Sequence, residues 1–89
     1  RFKIKFPMPD IDTRARLWKS MLPQQALVAK GIDFRTLARD YEFSPAHIKN
    51  AVLRAAFMAA ERGDPIAMSD LAVAAMSEAK ELGQVVRDV

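Results

Sequence analysis

Between positions 47 and 54 the sequence sets out His47, Lys49, Asn50 and Arg54, the side chains best suited to contact a charged or hydrogen-bonding ligand. His47 is the single histidine, and with a reference pKa of ~6.5 an imidazole can gain or lose its proton near neutrality. Carried on one helix, these four residues could read base edges in a nucleic-acid groove. The plainer reading makes His47 a helix-start histidine without a ligand and Lys49 a solvated side chain. An imidazolium at a helix N-terminus opposes the helix dipole unless an anion lies beside it. Other chemistries lack their groups. There is no cysteine, which removes disulfides and thiolate metal sites, and one histidine alone cannot build a zinc site. Gly31, Gly63 and Gly83 are the only glycines, and none precedes a Lys-Ser or Lys-Thr pair, so no phosphate-cradling loop is present. Neither a serine–histidine–acid order nor a pair of acids in an apolar pocket stands out. No catalytic residue and no metal ligand is assigned, and the chain by itself is not expected to be an enzyme.

The elements that would position these residues follow from composition and punctuation. A chain of 89 residues makes one small domain, burying only ~60–65% of its unfolded surface. Half of it is hydrophobic, at 51%, and alanine is dense from Ala51 to Ala79, which suits closely packed helices. The net charge of +3 is spread over mixed acidic and basic residues, unlike the concentrated basic stripe of a committed nucleic-acid binder. No apolar run approaches the ~20 residues that span a bilayer. The lack of cysteine fits a cytoplasmic protein.

The expected fold class is all-α, a short strand-like arm followed by a four-helix bundle. In the arm, Phe2, Ile4 and Phe6 alternate with Lys3 and Lys5, placing the apolar side chains on one face of an extended segment. Pro7 and Pro9 end regular pairing. A lone strand needs a partner, so residues 1–9 are expected to be an arm and hinge from an upstream domain; the alternative is an arm folded against the helices. Residues 10–83 form the helical unit and 84–89 a C-terminal tail. Asp10 or Asp12 caps the first helix, where Ile11, Ala15, Trp18 and Leu22 recur at helical spacing with Leu17 and Met21, and Pro23 ends it. A loop of about ten residues runs to Gly31. Asp33 caps a short second helix with Phe34, Leu37, Ala38 and Tyr41 inward. Ser44 and Pro45 open the third, whose apolar stripe is Ile48, Ala51, Val52, Ala55 and Ala59, widened by Leu53, Ala56 and Ala60. Gly63 and Pro65 stop it. The fourth begins near Met68 to Asp70 and runs through Leu71, Ala74, Ala75 and Ala79 to Leu82 and Gly83.

Several short motifs then fall in order: Phe6-x-x-Pro9-Asp10, Arg14-x-x-Leu17-Trp18, Leu22-Pro23, Asp33-Phe34-x-x-Leu37-Ala38, Phe43-Ser44-x-Ala46-x-Ile48-Lys49-Asn50-Ala51, Arg54-Ala55-Ala56-x-x-Ala59 and Ile66-x-x-x-Asp70-Leu71. From Phe2 to about Gly83 this order resembles the C-terminal helical lid of an AAA+ ATPase, most similar to bacterial members of the cell-division-cycle and valosin-containing group. The resemblance implies a lid that closes over ATP and Mg held by an upstream large subdomain, with no cofactor tightly bound by this part. It implies ATP hydrolysis by the parent coupled to conformational change and protein remodelling. Neighbouring subunits of a homo-oligomeric ring and a protein substrate would be its partners, not nucleic acid and not a membrane. By that resemblance Met21, Ser44, Pro45, Ala46, His47 and Lys49 lie near the nucleotide, and Arg14 and Arg54 at an interface with a neighbouring subunit or the large subdomain. His47 stands where some branches of the family carry an arginine that reaches the terminal phosphate and the core branch carries an acid. Pro45 departs from the family's usual glycine and adds a ring where backbone would approach the base. Judged without the resemblance, Met21 and Trp18 read as core residues, and Arg14 and Arg54 as exposed helix arginines. The alternatives are a small helix-turn-helix nucleic-acid module and a helical protein-interaction module.

Overall fold

The structure, a computed structural model, describes residues 9–83. The arm Phe2–Phe6, the Pro7 and Met8 part of the hinge and the tail 84–89 lie outside the described residues. Four helices follow in order: α1 (Ile11–Ser20), α2 (Phe34–Asp40), α3 (Pro45–Arg62) and α4 (Met68–Glu81). The all-helical bundle is as expected, with no strand among the described residues.

Three of the four starts are capped by side chains. Asp10, rather than Asp12, accepts from the Thr13 amide at 2.8 Å. Asp33 accepts from the Thr36 amide at 3.1 Å, and Ser44 Oγ from the His47 amide at 3.4 Å. Each satisfies an amide that the first turn leaves without an intrahelical partner. At α4 the capping residue is Ala67, which has no side-chain acceptor. The Asp70 carboxylate instead reaches back to the Ala67 amide at 2.9 Å, half of a capping box. Gly63 ends α3 in the left-handed region at φ 75°, a conformation that costs glycine nothing.

The core is built mainly from small residues. Ile48, Ala51, Val52, Ala55 and Ala59 of α3 are all buried, and Leu71, Ala74, Ala75 and Ala79 of α4 with them. Methyl side chains let backbones approach closely, and α3 and α4 share the most extensive contact of the bundle. α1 packs chiefly on α2, with Trp18, Leu37, Ala38 and Phe43 wholly enclosed. Leu53 and Ala60, expected to widen the α3 stripe, are instead exposed. α1 also ends at Ser20, two residues short of the periodic Leu22.

The α1–α2 connection is longer than expected and is pinned across the molecule. Val28 forms a parallel bridge with Ile66. The Ala29 amide donates to Ile66 O at 2.8 Å and the Ile66 amide to Leu27 O at 2.9 Å. A connection that bonds to the α3–α4 turn ties the two helix pairs together.

Candidate functional site

The first turn of α3 collects most of the residues singled out. Ser44 is half-buried, Pro45, Ala46 and Lys49 are exposed, and His47 lies between. Pro45 has no amide, and the His47 amide is held by Ser44. Ala46 therefore carries the one amide of that first turn without a partner among the described residues. This reduces the capacity of the helix end to hold an anion through its backbone.

His47 is drawn inward by a residue from the opposite helix. Its Nδ1 lies 3.0 Å from Glu78 Oε2 of α4. Asn50 Nδ2 donates to the same oxygen at 3.1 Å. Arg54 stands 3.5 Å from the other carboxylate oxygen and 3.4 Å from Glu81. Glu78 is 4% exposed, and burial alone would raise its carboxyl. The hydrogen bonds from Asn50 and His47, with the charges of His47 and Arg54, outweigh burial and hold it below the ordinary carboxylate value. Here is the anion that an imidazolium at this helix end requires. The Phe43 ring backs the imidazole edge-on at 6.3 Å, and Phe43 in turn meets Trp18 at 6.3 Å.

The remaining predicted residues fall elsewhere. Met21 is the C-cap of α1, half-buried and packed against the core. Arg14, read as an exposed helix arginine, is 6% exposed. Its Nε donates to Ala38 O at 2.9 Å and a terminal nitrogen to Pro9 O at 2.6 Å. The guanidinium thus ties α1 to the end of α2 and to Pro9. Those two carbonyls lie outside regular helical pairing, so they accept what α1 offers. Arg54 is also only partly exposed, and its charge faces Glu78 and Glu81. Trp18 is the expected core anchor, although its Nε1 is buried without a partner among the described residues.

Sequence reasoning missed the buried acids. Asp70, placed by the sequence at the start of the fourth helix, is the receptor of a two-pronged contact from Arg62, at 2.8 and 3.0 Å. The Arg62 hydrogen bonds are the chief cause that holds its carboxyl low, against burial and with the Ala67 amide assisting. A signal was present: Asp70, Ala74 and Glu78 recur every four residues, so both acids lie on the stripe that buries the alanines. Arg14 and Trp18 stand in the same relation on α1. A charge inside an apolar stripe is a buried charge that needs a partner.

Among the described residues no group of three or more histidines or acids could hold a metal ion. No helix there is long and apolar enough to cross a membrane. No protein-family model matches the chain, and no curated protein matches it either.

Proposed function

We propose that this chain is the helical lid of an AAA+ ATPase, closing over ATP and Mg bound by an upstream large subdomain. The observation that carries the reading is the correspondence between the ordered motifs and the helices. Asp33 and Ser44 of those motifs are the caps of α2 and α3, while Leu37, Ala38, Ile48, Ala51, Ala55 and Leu71 lie in the core. Between Ser44 and Lys49 the surface carries the Ala46 amide, without a partner among the described residues, one imidazole edge and one ammonium group. Such a set fits a contact that supplements a nucleotide held by other residues, and is too sparse to hold one alone. The parent protein would hydrolyse ATP and transmit the change in lid angle to a neighbouring subunit, with Pro9 and the residues before it as the hinge.

The discriminating observation is the coding sequence ahead of Arg1. A Gly-x-x-x-x-Gly-Lys-Ser/Thr motif upstream is expected; a parent without one overturns the proposal. The protein-interaction reading keeps one point in its favour, because Leu53 and Phe57 on α3 are exposed, Phe57 to 69%. A groove-reading role for α3 is disfavoured: His47, Asn50 and Arg54 are all turned towards Glu78, and Lys49 alone stays clear of it.

A further inference from the structure

Glu78 sits among Leu71, Ala74, Ala75 and Ala79 on the buried face of α4. A carboxylate in such a place is costly unless it is paired and hydrogen-bonded. Its partners come from successive turns of α3, at positions 47, 50 and 54. Two are close, His47 at 3.0 Å and Asn50 at 3.1 Å. Arg54, at 3.5 Å, is longer and shared with Glu81. Asn50 and Arg54 can only donate through the groups they present, and an ionised carboxylate can only accept. The remaining short contact therefore requires a hydrogen on Nδ1 of His47.

We infer that Glu78 is a positioning residue for the corner at the start of α3, binding the Nδ1 hydrogen of His47 so that Nε2 faces outward. The geometry of the ring supports this. The His47 side chain is 34% exposed, Nε2 has no partner among the described residues, and it is not a buried unpaired atom. Neutral His47 then presents an acceptor at the surface of the first turn of α3. With both ring nitrogens protonated, Nε2 presents a donor there instead. What Nε2 meets there, the nucleotide side of a closing lid, rests on the proposed function; the tautomer does not.

The test is a long-range proton–nitrogen correlation spectrum of the imidazole, recorded above its titration on this chain. With a single histidine the assignment is unambiguous. The Nδ1–H form is expected in roughly tenfold or greater excess, the ratio that one hydrogen bond to a charged group supports. Glu78→Leu should abolish that preference with helical content retained, and Asn50→Ala should keep it. A wild-type spectrum dominated by the Nε2–H form overturns the inference, as does an unchanged preference in Glu78→Leu. Should Glu78→Leu fail to fold, the wild-type spectrum decides by itself. MgADP added to the longer parent protein separates the two ideas. An Nδ1–H tautomer whose Nε2 resonance ignores the nucleotide supports the positioning role and overturns the nucleotide-facing reading.

Discussion

The alanine seam makes a demanding prediction, because its argument rests on how closely α3 is approached. Ala55 is wholly buried and Ala59 nearly so. Replacing Ala55 by leucine puts an isobutyl group where a methyl already has no access to solvent. The new side chain cannot gain from burial unless α3 moves away from its neighbours, and overpacking of this kind costs about 1–3 kcal/mol. Leucine is nearly as good a helix former as alanine, so intrinsic propensity contributes little. For a domain of this size each kcal/mol moves the melting temperature by about 4–8 °C, so Ala55→Leu should lower it by roughly 5–20 °C. Ala60→Leu is the matched control: same helix, same change, but an exposed position where substitutions stay within about 0.5 kcal/mol. Thermal melts followed by circular dichroism at the helical band measure both. If Ala55→Leu melts with Ala60→Leu, α3 has room around Ala55 and the close-packed seam is wrong.

Acid should weaken the fold through its buried carboxylates. Asp70 and Glu78 are both held below their ordinary values, so the unfolded chain takes up protons first as pH falls. Their contribution is complete above the unfolded values, near 3.8 and 4.5, and is lost as pH drops through the lower folded ones. Urea midpoints between pH 7 and pH 3 should fall accordingly, and Asp70→Asn should flatten the slope; an equal slope would exclude Asp70 from the effect. Arg14→Met keeps the length of the side chain but removes its donors to Ala38 O and Pro9 O. Leaving a buried carbonyl unpaired costs about 1–3 kcal/mol, read as a lower urea midpoint, whereas Arg16→Met, at an exposed site, should change nothing. Gly63→Ala meets no neighbour within 4 Å, so its cost is backbone strain alone, about 1–2 kcal/mol for a left-handed residue; a variant as stable as the parent would mean that α3 ends differently.

Helix existence and order were legible because the signals are local. A cap such as Asp33 or Ser44 bonds to an amide three residues on, and the stripe from Ile48 to Ala59 needs only the helical period. The candidate site was legible as a place, the start of α3, but not as an arrangement. His47 could be seen as a histidine opposed by a helix dipole; which anion relieves it could not, because Glu78 is 31 residues away and reaches it only when α4 packs antiparallel along α3.

Four helices, the caps Asp33 and Ser44 and the buried stripe from Ile48 to Ala59 are thus determined by the chain itself, since each depends on neighbours within a turn or two. Tertiary structure decided the rest: that Arg14 is an internal tie, which arginine, asparagine and histidine partners Asp70 and Glu78 find, and that Val28 meets Ile66. The physical reason is common to all of them. A buried polar group must find its partner wherever packing brings one, and no local periodicity records where that will be.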